Sequence, residues 1–168
     1  MGRTFLIAAA CLAAATAVTA QTTSAAVQGL ERLRALEGEW IDVDGVLGEK
    51  GKVAVTYRVS GAGHTVVETF PVGTPHEMVT VYHLDGPNLV LTHYCTSNTQ
   101  PRMTSAGLSG NVLAFDFAGG ANIDPAKTSH MHAARLEFIS ADEIKGTWHN
   151  WSDGKHDHAA SFRVVRKR

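Results

Sequence analysis

The sequence predicts an all-β fold, an antiparallel up-and-down β-barrel of about ten strands with a short N-terminal helix. Three observations predict it. From residue 39 to the end, apolar and polar residues alternate with period two, the signature of half-buried strands. Turn residues interrupt the alternation about every eight to twelve residues. No helical stripe recurs after residue 36. So long an antiparallel meander would expose two edges if it stayed flat, and closing it into a barrel removes both.

The elements follow in chain order. Arg3 precedes an apolar, Ala-rich run from Phe5 to Val18, and Val18-Thr19-Ala20 has the small residues that precede a cleavage site. This reads as a secretory signal peptide cleaved after Ala20, too short and wrongly flanked to span a membrane. It implies a secreted or periplasmic protein. A lipoprotein reading would need Cys11 as the acylated residue, and the apolar run before Cys11 is too short for that. Residues 21–28 (QTTSAAVQ) are small and polar and read as a flexible leader. The barrel domain is expected over 29–168. It opens with GLERLRAL, whose Leu30, Leu33 and Leu36 form a helical stripe that Glu37-Gly38 ends.

Strands are expected near 39–44, 52–60, 64–70, 76–84, 88–96, 102–108, 112–118, 130–139, 143–151 and 157–166. The turns between them carry Ser60-Gly61-Ala62-Gly63, Pro71 to Pro75, Asp85-Gly86-Pro87, Ser109-Gly110-Asn111 and Asp153-Gly154. The one long connection is Ala118 to Ser129.

Composition narrows the function classes. The formal net charge is −1, and the only basic cluster is Arg163, Arg166, Lys167 and Arg168. Nucleic acid is not an expected partner. Loss of Cys11 with the signal peptide leaves Cys95 alone, so no internal disulfide can form. Stability must come from the core, which a chain of this size can build.

A short helix running into Gly38-Glu39-Trp40 and then a ten-strand meander resembles the calycin group, which includes lipocalins, fatty-acid-binding proteins and the haem-binding nitrobindins. The stretch VVETFPVGTPHEMVTVYHLDG…LVLTHYC…NTQPRM is also similar to a set of uncharacterised secreted bacterial lipocalin-like proteins, over roughly residues 30–105. The resemblance implies a barrel with a ligand cavity and no known activity. By analogy with nitrobindins a histidine in the last strands would ligate haem. Their motif does not match this chain residue by residue, so no ligand is carried over.

Side-chain direction defines the candidate site. In the hairpin VYHLDGPNLVLTHYC, the turn at Gly86-Pro87 sets Leu84 opposite Leu89, Tyr82 opposite Leu91, Thr80 opposite His93 and Met78 opposite Cys95. This face also carries His76. It is taken as interior because the other face ends in Glu77, His83 and Asp85. In the C-terminal sheet, His130, His132, Ala134, Leu136 and Phe138 alternate with Arg135 and Glu137. A turn at Ser140-Ala141-Asp142 pairs Glu137 with Lys145 outside and sets Ile144, Gly146, Trp148 and Asn150 inside. An odd-length turn at Asp153-Gly154 then places His156, His158, Ala160, Phe162 and Val164 inside.

Turns of a meander alternate between the two mouths. His76, His93, His130, His132, His156 and His158 are therefore expected at one mouth, with Cys95 and Met78. Each His-x-His pair on a strand puts two imidazoles roughly 7 Å apart on one face, within reach of one ion. Imidazole suits Zn, Cu or Fe, and thiolate adds soft character. Solvated rim histidines fit the same pattern, so a metal or haem and a plain rim both stay open. His130-x-His132-x4-Glu137 is similar to the first metal motif of cupins, but Asp124 stands where glycine is wanted and no second motif follows.

The expected wall of the cavity comprises Tyr82, Thr80, Leu91, Trp148 and Asn150. Arg102 stands either at the mouth, where it could bind a carboxylate, or on the surface. Glu68 is the candidate general base if Val66 and Phe70 point inward with it. Two functions follow. One is binding of a small apolar or amphipathic molecule, with a metal or haem possible at the mouth. The other is a metal-dependent or acid/base enzyme acting on such a ligand.

Overall fold

The computed structural model describes residues 23–168. The signal-peptide reading, with Cys11, lies outside the described residues. Helix α1 (Ala25–Arg34) precedes ten strands: β1 (Gly38–Asp42), β2 (Val53–Ser60), β3 (Thr65–Phe70), β4 (Met78–Asp85), β5 (Asn88–Tyr94), β6 (Gln100–Ser105), β7 (Val112–Ala121), β8 (His130–Phe138), β9 (Glu143–Ser152) and β10 (Lys155–Arg166). Each strand pairs with its chain neighbours, and β10 returns to β1 to close the barrel. The expected all-β up-and-down barrel is the observed fold. Among the described residues no helix is long and apolar enough to cross a membrane.

The helix starts earlier than its leucine stripe suggests. The Ser24 hydroxyl accepts from the Val27 amide at 3.3 Å and caps it. Residues 25–28, expected as leader, are therefore its first turn. Ala26, Gly29, Leu30 and Leu33 are its buried face. A Cβ on Gly29 would lie 2.9 Å from Leu113 and 3.0 Å from Leu89, so glycine lets the helix sit against the ends of β5 and β7. Arg32 stacks over the Phe138 ring, at the end of β8. The helix thus covers the mouth that carries the β4–β5, β6–β7 and β8–β9 turns. Trp40, buried at the start of β1, donates its indole N–H to the Leu36 carbonyl at 2.8 Å and ties the helix to the wall.

The hairpin has the expected register, with Leu84 opposite Leu89, Tyr82 opposite Leu91 and Thr80 opposite His93. Tyr82, Leu89, Leu91, His93 and Thr80 are all buried, which settles the interior face. The fourth pair does not form. β4 begins at Met78 rather than residue 76, and β5 ends at Tyr94, so Cys95 has no partner across the ladder. Glu137 pairs with Lys145 as expected, and Ile144, Trp148 and Asn150 are buried.

Two bulges overturn the expected faces of His130, His132 and His156. The turn at Asp153-Gly154 is a two-residue turn, with Ser152 opposite Lys155. Both residues have positive φ, 52° and 73°, as the tightest right-twisted hairpins require. The odd residue that returns Ala160, Phe162 and Val164 to their register is Asp157, at a break between His156 and His158. The second break lies between Met131 and Ala133, at His132. One extra residue inverts the alternation on its far side. Met131, not His130 and His132, therefore shares the inner face with Ala134 and Trp148.

Candidate functional site

The mouth away from the helix carries the β1–β2, β3–β4, β5–β6, β7–β8 and β9–β10 connections. Just inside it lies a cavity of about 150 Å³ lined by Val46, Leu47, Phe70, Met78, His93, Met131, Trp148, Ala160 and Phe162. Phe70, Trp148 and Phe162 form its floor, with the Phe70 ring 5.9 Å from Trp148 and 6.0 Å from Phe162. Val46 and Leu47 belong to the β1–β2 loop, which leans over the opening. Asp42 holds that loop. Its buried carboxylate accepts from the amides of Asp44 (3.0 Å), Gly45 (2.9 Å) and Leu47 (2.7 Å).

His93 is the polar group of this wall. Its Nδ1 lies 2.9 Å from the Thr80 hydroxyl on the neighbouring strand. Its ring is stacked on Phe70 and sits 4.7 Å from Trp148. Burial drives its pKa down to about 4, so the imidazole is neutral at neutral pH. The Trp148 indole N–H is buried and has no hydrogen-bond partner. Such a donor is uncommon in a folded interior and marks a place for an acceptor.

Deeper in the barrel, Glu68 points inward, one of the two positions the sequence left open, and is fully enclosed. Tyr57 donates to its Oε1 at 2.7 Å and Tyr82 to its Oε2 at 2.6 Å. Burial raises its pKa, and the two phenol hydrogen bonds oppose that rise. Burial also raises both tyrosines, reinforced by the adjacent carboxylate. With both oxygens occupied and no place on the cavity wall, Glu68 is a core network, not a base facing a ligand. Tyr82 and Leu91 belong to the same core. Thr80 acts only through His93.

The expected histidine cluster is divided. His130 is buried, and its Nδ1 lies 2.7 Å from the Thr128 carbonyl, which can only accept. His130 therefore donates there, and its Nε2 lies 3.0 Å from His132 Nδ1. His132 is sandwiched between Phe117 and Trp151. His156 faces His149, at 3.4 Å, on the side of Trp151. His158 is exposed and pairs with Asp157 at 2.7 Å, which lowers the Asp157 pKa. His76 is exposed in the β3–β4 turn. Cys95 is half-buried in the β5–β6 turn, its amide on the Thr99 carbonyl. Among the described residues, no three His, Cys, Asp or Glu side chains gather closely enough to hold a metal ion. The single-mouth cluster is corrected on this point: the end is right, His93 and the exposed His158 keep their expected side, and His130, His132 and His156 do not.

Asn150, expected on the wall, lies elsewhere, and Arg102 takes the surface position, one of the two expected for it. Asn150 is bound to Ser129 and Asp157 at the rim. Arg102 pairs with Asp85 outside the cavity. Of the expected ligand contacts, Trp148 lines the cavity, and so does His93 from the metal set. Phe70, Met131, Phe162, Ala160 and the Val46-Leu47 loop were not anticipated as wall. Alternation carried the signal for Phe70, Ala160 and Phe162, which were read as inward. No sequence signal marks Met131, because a bulge has no composition of its own. Drug-sized ligands occupy about 300–1,000 Å³, so a haem does not fit this cavity as built.

No model of a known protein family matches the chain, and no curated protein is significantly similar to it.

Proposed function

We propose that this protein is a small-molecule-binding barrel whose ligand lies in the cavity at the open mouth, its apolar body against Phe70, Trp148 and Phe162. The carrying observation is the apolar cavity walled by Trp148, a residue whose buried indole N–H has no partner in the protein. A cavity of about 150 Å³ accepts a molecule of roughly benzene size. The preferred ligand is therefore a small apolar molecule with one hydrogen-bond acceptor. The barrel with a helix at one mouth also supports the likeness to calycins, and an exported chain would carry or capture such a ligand outside the cytoplasm.

The test is a panel of small aromatic and aliphatic ketones, nitriles and hydrocarbons, read by tryptophan fluorescence and by shift of the unfolding temperature. Binding should favour molecules with one acceptor, and Ala160→Phe, which fills the cavity from an accessible wall position, should abolish it. Binding that survives Ala160→Phe would sink the assignment of the site.

A further inference from the structure

The same cavity has a second chemistry that its apolar character conceals. Met78, at the start of β4, and Met131, beside the β8 bulge, line it together with His93. We infer that these three side chains form a binding site for a soft monovalent metal ion, Cu(I), within the cavity. The inference rests on the reading that this cavity is the ligand site.

Four observations carry it. Thioethers are neutral, soft donors that select Cu(I), and imidazole suits copper in both oxidation states. His93 has the arrangement of a metal-binding histidine, with one ring nitrogen held by a neighbour, the Thr80 hydroxyl, and the other free of protein partners. No Asp, Glu or Cys lines the cavity. A divalent ion would bring twice the charge into an apolar wall with no anion to offset it, whereas a monovalent ion asks less. Finally, the Trp148 ring lies beside the imidazole, 4.7 Å between centroids, where its face can stabilise a cation. Both methionines are partly buried at the cavity edge and have three rotatable bonds, so their sulfurs can close on an ion without moving the strands.

The other histidine groups do not offer this. His130 and His132 satisfy one another, and His158 is tied to Asp157. Neither group includes a sulfur ligand. Cys95 is outside the cavity, but its thiol would bind Cu(I) by itself and must be removed from the test.

The experiment uses the full mature protein without a histidine tag in a Cys95→Ser background. Ag(I), as a redox-inert probe, and Cu(I) held by a chromogenic chelator under anaerobic conditions are titrated while tryptophan fluorescence is followed. One equivalent of either ion should bind and quench the fluorescence. The double variant Met78→Leu/Met131→Leu should weaken binding at least a hundredfold, and His93→Gln at least tenfold. Met103→Leu, a core methionine off the cavity wall, should leave it unchanged. These leucine replacements nearly conserve volume, so unfolding will not mimic lost binding.

Failure of the Cys95→Ser protein to bind either ion overturns the inference, as does equal affinity in the double methionine variant. The same samples are challenged with the apolar panel. Uptake of an apolar molecule by a protein that refuses Ag(I) removes the metal inference and leaves the ligand reading intact. Refusal of both removes the cavity as a site.

Discussion

His93 Nδ1 lies 2.9 Å from Thr80 Oγ1 across the β4–β5 ladder, both groups fully buried. This bond fixes the imidazole plane and leaves the second ring nitrogen as the histidine's unengaged polar atom. It explains why a cleanly alternating hairpin carries a histidine on its apolar face: the strand places the ring, and the opposite threonine orients it.

Thr80→Val keeps the shape and removes the hydroxyl, so His93 Nδ1 is left buried without a partner. The loss should cost about 1–3 kcal/mol of stability. Urea unfolding should show a lower midpoint with unchanged slope, and ligand affinity should fall with it. An unchanged midpoint would mean that the bond is not held in solution.

The pH dependence has contributions of both signs, of which the two buried in the barrel, His93 and Glu68, are opposed. His93 is neutral when folded, with its pKa lowered from 6.5 to about 4. Its contribution is complete above pH 6.5 and is lost as pH falls toward 4, by at most about 3 kcal/mol. Glu68 acts the other way. Its folded pKa is raised, so its contribution is present at low pH and is lost as pH rises through that pKa. Stability measured by urea at pH 4 to 8 should therefore fall less steeply on the acid side in His93→Gln, the remainder coming from His132 and Asp157, whose folded pKa values are also lowered. In Glu68→Gln, the decline on the alkaline side of the carboxyl's ordinary range should flatten instead. A wild-type acid limb that persists unchanged in His93→Gln would refute the assignment.

Gly146 faces Phe162 across the β9–β10 ladder, and a Cβ there would lie 2.3 Å from the ring. Gly146→Ala should destabilise by about 1–3 kcal/mol through overpacking, since the ring is itself wedged against Phe70. Gly146→Ala/Phe162→Leu should recover part of that loss. A double-mutant cycle by thermal unfolding measures the coupling.

Asp42→Ala should free the β1–β2 loop, because three amides lose their acceptor at once. The expected result is faster proteolysis within residues 43–52 and weaker ligand binding, with the barrel's far-ultraviolet spectrum unchanged. Unaltered proteolysis would show that the loop is held by its apolar contacts alone.

The barrel itself was legible in the sequence because alternation and turn chemistry are local. Glu137 opposite Lys145, and the hairpin from Leu84–Leu89 to Thr80–His93, follow from turn length and a period of two. The direction of Glu68 was not legible in the same way, since the Pro71 to Pro75 turn beside it left the register of its strand open. That the late histidines lie at the mouth of His93 follows from counting turns. Their separation from the cavity was not legible, since it depends on single extra residues, His132 and Asp157, at the rim. A bulge is chosen when strands of unequal curvature must meet around a closed barrel, and no local propensity records that choice. The inward Met131, the outward His130 and His156, and the tyrosines that occupy both oxygens of Glu68 are consequences of closure. The sequence by itself determined strand order, the register of the β4–β5 hairpin from Leu84–Leu89 to Thr80–His93 and of β8 with β9 at Glu137–Lys145, and which end of the barrel holds the histidines. Only the tertiary structure decided which of those residues face the cavity, because one inserted residue turns every side chain beyond it to the other face.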